Sequence, residues 1–257
     1  MENSNNNLIV LITGATSGIG RAIAWKFASA GAKVILNGRD EKKLEKIAQD
    51  IRAEFNTEVI CLTFDVRDRD AAKMSLENLH EKWRNIDILV NNAGLVLGVE
   101  KEFDVNPEDW DVMIDTNVKG LLTMTRLIVP GMIERKHGHI INIGSIAGDA
   151  AYAGGSVYCA TKAAVKALSD GLRIDLVDTP LRVTNIKPGM VETHFSITRY
   201  RGDKAKADAV YAGLQPLVAE DIAETTYFVV SAPKHVQIAE VLLMPTSQAT
   251  ATVAYRG

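Results

Sequence analysis

Ser145, Tyr158 and Lys162 are the residues whose types and spacing most directly suggest chemistry in this 257-residue chain. Tyr158 and Lys162 stand four apart, so on a helix they share one face and an ammonium can lie beside a phenol. At about 4 Å and an effective dielectric near 20, that attraction is worth about 4 kcal/mol. It would draw a phenol pKa of about 10 down by as much as about 3, where a tyrosine can act as acid or base near neutral pH. Ser145 closes an apolar run, with twelve residues between it and Tyr158. Three residue types at loose spacing also arise by chance, so the reading depends on what accompanies them.

Near the start the chain reads Thr13-Gly14-Ala15-Thr16-Ser17-Gly18-Ile19-Gly20. Glycines at 14, 18 and 20 permit a tight turn, close backbone approach to a pyrophosphate and close helix packing, with a helix N-terminus facing the phosphates. Taken singly, such a turn is equally a plain strand-to-helix connection. The next strand ends Leu36-Asn37-Gly38-Arg39-Asp40. A carboxylate at that tip suits the ribose 2′-hydroxyl of NAD and an arginine suits a 2′-phosphate, so Arg39 points to NADP. Its alternative is a solvated loop charge, and Asp40 is expected to cap the following helix. Asn91-Asn92-Ala93-Gly94 follows another apolar run, and Asn117 falls inside a long helical stretch. Read alone, Asn92 is a turn former and Asn117 a polar group in a helix interior.

The elements that must hold these residues alternate. Short apolar runs at 8–13, 33–36, 59–64, 86–90, 139–143, 182–186 and 241–244 read as strands. Amphipathic stretches at 21–29, 41–55, 69–82, 107–135, 158–177 and 220–231 read as helices. Nearly continuous apolar strands alternating with helices predict an α/β fold: one doubly wound, Rossmann-like parallel sheet with helices on both faces. Its ligand site should lie at the carboxyl ends of the strands. No linker or repeat divides residues 1–257, so one domain is expected, with a polar tail over 1–7. The polar segment at about 192–217 interrupts the alternation and is expected to be a partly helical lid.

Composition excludes several alternatives. With 47% hydrophobic residues the chain can build a full core, and 29 basic against 32 acidic residues give a net charge of −3 without long runs of one sign. No general electrostatic case for nucleic acid or an anionic membrane follows, and no apolar run reaches a membrane span. Cys61 and Cys159 cannot form a disulfide framework and have no metal-type spacing, so a reducing, cytoplasmic setting and no metal are expected. His137 and His139 flank a strand start without metal-ligand partners, Cys159 reads as a small helix residue, and Met124 and Met132 as core or interface filler.

Together these motifs resemble the classical short-chain dehydrogenases/reductases over essentially the whole chain. The resemblance implies that Tyr158 is the general acid/base, Ser145 orients and polarises the substrate oxygen, and Lys162 lowers the tyrosine pKa while holding the nicotinamide ribose. Asn117 would hold a water that relays protons to Lys162. Asp65 and Val66 would meet the adenine, with Asn92, Ala93 and Gly94 near the adenosine ribose and Pro188, Gly189, Val191 and Thr193 at the nicotinamide end. Stretches at 86–95, 137–145 and 152–155, with Leu243-Met244-Pro245-Thr246, are more specifically similar to bacterial and yeast NADP-dependent serine or 3-hydroxy acid dehydrogenases. A 3-oxoacyl-thioester or general carbonyl reductase ranks second, with Arg126 and Arg173 as candidate docking groups for an acidic carrier. A small hydroxy acid carries a carboxylate that needs a partner once water is excluded. Arg199 and Arg201 are the candidates, unless Asp203 or Glu192 pairs with them at the surface. The loop 146–151 is smaller than such relatives lead one to expect, which leaves the pocket size open. By the same analogy the apolar face of the 158–177 helix would assemble a homotetramer.

Overall fold

The computed structural model describes residues 8–257; the polar tail 1–7 lies outside the described residues. Seven strands form one parallel sheet in the order β3-β2-β1-β4-β5-β6-β7. They are β1 (Ile9–Ile12), β2 (Lys33–Gly38), β3 (Val59–Thr63), β4 (Ile88–Asn91), β5 (His139–Ile143), β6 (Arg182–Pro188) and β7 (Glu240–Leu243). Order reverses between β1 and β4, and that switch opens a crevice at the strands' carboxyl ends.

Alternate strand residues feed two cores. Val10 and Ile12 of β1 face one side with α1 (Gly18–Ser29), α2 (Glu41–Phe55) and α9 (Ala219–Ser231). Ile9 and Leu11 face the other, with α3 (Arg69–Glu77) and α5 (Leu121–Arg135). Met124 and Met132 of α5 are fully buried in that second core, so they are core residues. Asp40 caps α2 as expected, accepting from Lys43 N at 3.1 Å.

Four helical stretches depart from the periodicity, α1 by beginning at Gly18, three residues before its expected start. The stretch 107–135 is α4 (Pro107–Ile114), a π-helical segment Asp115–Gly120 and α5, where apolar spacing alone suggests one uninterrupted helix. The stretch 69–82 stops at Glu77, and Glu81–Trp83 is a separate 3₁₀ turn that buries Trp83. The helix bearing Tyr158 is α6 (Ser156–Asp175), beginning two residues earlier than its apolar pattern. Segment 192–217 contains α7 (His194–Arg199) and α8 (Lys204–Ala209). Its ends are fastened together, Glu192 N donating to Leu217 O at 2.8 Å and Leu217 N to Met190 O at 2.9 Å. No helix among the described residues is long and apolar enough to cross a membrane.

Candidate active site

The crevice is a cavity of about 670 Å³ running from the glycine turn to the lid. Gly14 and Gly18 adopt φ of +66° and +50°, a region that L side chains rarely enter. Gly20 is required by contact: a Cβ there would stand 2.5 Å from both Asn92 Nδ2 and Gly14 O. Asn92 braces the turn, its amide donating to Thr13 O at 2.8 Å and Gly14 O at 3.2 Å. Ser17 stands at the N-cap of α1 without a side-chain hydrogen bond to the helix, so N-terminal amides of that helix are left for an anion. Thr16, Ser17, Ile19, Ala93 and Gly94 complete this end of the cavity.

Arg39 lines the cavity with its side chain 65% exposed, 3.7 Å from Asp65. Arg67, which the sequence did not single out, forks onto the same carboxylate, with Nε 3.1 Å from Oδ1 and Nη2 2.7 Å from Oδ2. Burial would raise the Asp65 pKa, but its bonds to Arg67 hold it below the usual range. Val66 lies beside it on the cavity wall.

Ser145, Tyr158 and Lys162 meet at the centre. Tyr158 is buried, its ring edge-on to Phe195 of α7. Lys162 Nζ donates to Ile143 O at 2.8 Å and stands 5.9 Å from the centroid of the Tyr158 ring. This corrects the sequence-based electrostatics. Burial pushes the Tyr158 phenol above its ordinary pKa, outweighing the Ser145 hydroxyl, which pulls the other way; burial also brings Lys162 down to about 8. The lysine charge is spent on a carbonyl at the end of β5 and does not offset the tyrosine's desolvation.

Asn117 sits in the π-helical segment, 2% exposed. Its side-chain oxygen accepts from Leu95 N at 2.8 Å, and its amide donates to Leu95 O at 2.8 Å and Thr161 Oγ1 at 3.0 Å. The side chain is thus occupied in tying the loop after β4 to α6.

Pro188, Gly189, Val191 and Thr193 lie on the far wall, where Thr193 packs against Gly18 and caps α7 by accepting from Phe195 N. The two lid arginines separate. Arg201 pairs with Asp109 at 2.5 Å, and not with Asp203 or Glu192. Arg199 lines the cavity, its guanidinium 5.4 Å from the Tyr152 ring centroid and 3.5 Å from Gly154 O, and its buried Nε has no hydrogen-bond partner. Arg173 is paired with Asp170, which occupies one of the candidate carrier-docking groups. Sequence reasoning missed Tyr152, Phe195, Tyr211 and Gln248, all on the cavity wall. Gln248 is 5% exposed and accepts from Met190 N at 2.8 Å, so a residue from the C-terminal stretch closes that wall of the cavity. Nothing local in the sequence marks it.

This constellation on a seven-stranded parallel sheet defines a dinucleotide-dependent oxidoreductase, and the family model for short chain dehydrogenases matches residues 8–204: the chain belongs to that family. It is 48% identical over 245 residues to the NADP-dependent 3-hydroxy acid dehydrogenase YdfG of Escherichia coli strain K12, covering 95% of this chain and 97% of that protein. It is 43% identical to the NADP-dependent 3-hydroxy acid dehydrogenase of Schizosaccharomyces pombe, covering 96% of each. A closed serine dehydrogenase complexed with NADP+ superposes with a TM-score of 0.89 at 47% identity, covering 97% of this chain and 100% of that one.

Proposed function

We propose that this enzyme transfers a hydride between NADP and the hydroxyl-bearing carbon of a small 3-hydroxy acid of the serine, allo-threonine or 3-hydroxyisobutyrate type. The observation that carries the reading is the convergence of Ser145, Tyr158 and Arg199, whose Nε has no partner, on one cavity that begins at the glycine turn. A dinucleotide fits the residues present. A Cβ on Gly14 would come within 3.0 Å of Asn92 Nδ2 and Ala93 Cα, and the turn presents backbone and helix amides where a pyrophosphate needs them. Arg39 would pair with the 2′-phosphate, as the relatives' use of NADP supports. When bound, the nicotinamide supplies or accepts the hydride.

The chain's own residues do the rest. Tyr158 takes the hydroxyl proton during oxidation and returns it during reduction. Ser145 holds the substrate oxygen beside that phenol. Lys162 holds the ribose, and Asn117 fixes the loop 92–95 and, through Thr161, the helix turn that carries Lys162. Arg199 takes the substrate carboxylate, a pairing that a desolvated carboxylate requires. Segment 192–217 acts as the lid, with Phe195 excluding water from Tyr158. Exposed Ile174 at the end of α6 and exposed Val177 just beyond it support a homotetramer, and the two free cysteines support a cytoplasmic setting.

A substrate panel tests the reading. Oxidation of a short 3-hydroxy acid with NADP+, without reduction of acetoacetyl thioesters, is expected; thioester reduction without hydroxy-acid oxidation would overturn it.

A further inference from the structure

Lys187, one residue from the end of β6, is a buried cation with no part in the chemistry above. Its side chain is 5% exposed and its ammonium is gripped by two carboxylates, Asp149 at 2.8 and 3.0 Å and Glu240 at 2.6 Å. Burial alone would lower its pKa, but the two carboxylates raise it, so the clamp stays charged. Removing one partner of such a group leaves an uncompensated charge, which makes the arrangement stiff.

Asp149 ends the turn that Ser145 begins. Ser145 precedes the 3₁₀ turn Ile146–Gly148, its hydroxyl oxygen accepting from Ala147 N at 3.1 Å, and Asp149 is the next residue after the turn. The same turn rests on α6: a Cβ on Gly148 would stand 2.7 Å from Lys162 O. Glu240 opens β7, which pairs with β6 in register. Lys187 therefore fastens the Ser145 turn to two strands of the sheet on one side while α6 backs it on the other.

We propose that Lys187, acting through Asp149, is a positioning residue that sets the Ser145 hydroxyl against Tyr158. The proposal rests on the reading of Ser145 and Tyr158 given above. The Ser145 hydroxyl favours the ionised form of Tyr158, so a displaced Ser145 leaves burial to carry the phenol still higher. The pH dependence of turnover then reports a change that a general loss of stability does not produce.

The experiment compares Lys187→Met, Lys187→Arg, Asp149→Ala and Ser145→Ala with the parent enzyme. It uses NADP+ and whichever of L-serine and L-3-hydroxyisobutyrate is oxidised faster, with NADPH binding by fluorescence and thermal unfolding alongside. Lys187→Met is expected to lower kcat about ten- to hundredfold, as a small misplacement of a reacting group does, with NADPH binding unchanged. The acid limb of the oxidation profile should move to higher pH, and Lys187→Arg should keep most of the activity. Asp149→Ala should reproduce the effect, and combining it with Lys187→Met should add little. A reduced unfolding temperature with parental kcat and pH profile would overturn the proposal. Should Lys187→Met fail to fold, Asp149→Ala decides it by the same readouts. Parental activity in Ser145→Ala would overturn the site reading itself, whereas an inactive Ser145→Ala beside a fully active Lys187→Met overturns only the positioning role.

Discussion

Phe195 of the lid stands edge-on to Tyr158, with ring centroids 5.7 Å apart and planes 61° apart. The contact joins a segment between β6 and α9 to the residue proposed to move the proton, and it helps keep Tyr158 only 7% exposed. Removing it opens the phenol to water and loses an aromatic pair worth about 1 kcal/mol. Phe195→Ala is therefore expected to lower kcat/KM about fivefold at fixed pH. Steady-state kinetics check this, and an unchanged kcat/KM would detach the lid from the chemistry.

Arg199 has a buried Nε without a partner and no carboxylate within ion-pair distance among the described residues. A charged hydrogen bond is worth about 1.5–3 kcal/mol, so Arg199→Met should raise KM for a 3-hydroxy acid about ten- to hundredfold. The methyl ester of the same acid carries no charge, and its KM should change far less. Equal effects on acid and ester would remove Arg199 from carboxylate recognition.

Cofactor choice is predicted to rest on Arg39, exposed at the tip of β2. Arg39→Ser should lower kcat/KM for NADP+ about ten- to hundredfold, as loss of a charge-assisted bond to phosphate does, and leave NAD+ kinetics nearly unchanged. Kinetics with both nucleotides give the answer.

The parallel sheet, the glycine turn and the Tyr158–Lys162 pair were legible because each is written in short-range pattern: alternation of elements, three glycines within seven residues, an i and i+4 pair on one helix. Asp40 as a cap belongs to the same class. What was not legible depends on distant partners. Arg67 reaching Asp65, Gln248 closing the wall at Met190, and Lys187 gripping Asp149 all join residues whose relation exists only once the sheet has formed. The Tyr158 electrostatics failed for a related reason: sequence spacing sets two charges side by side but does not reveal how deeply the phenol is buried or that Ile143 takes the lysine's hydrogen bond. The π-helical turn around Asn117 likewise interrupts an apolar spacing that reads as continuous.

His139 carries an acid sensitivity away from the active site. Its Nε2 lies 2.8 Å from Thr184 Oγ1, whose proton goes to Ile238 O, so Nε2 must donate and the buried Nδ1 has no partner. Burial, aided by Arg182, lowers its pKa to about 3. The unfolded chain takes up this proton below about pH 6.5 and the folded chain does not, so the folded state loses stability as pH falls from about 6.5 to about 3. The loss is on the order of a few kcal/mol, and His139→Gln should flatten it in urea unfolding measured across that range. An unchanged slope would place the acid sensitivity elsewhere.

The central claim is that Tyr158 moves the hydroxyl proton in an NADP-linked oxidation of a 3-hydroxy acid. Its most direct test is the initial rate of NADP+ reduction with L-serine, L-allo-threonine and L-3-hydroxyisobutyrate, run beside Tyr158→Phe. The account predicts turnover on at least one substrate, rising with pH as the raised phenol pKa requires, and its loss in Tyr158→Phe with NADPH binding retained. Silence on all three substrates, or a Tyr158→Phe variant as fast as the parent, would contradict it.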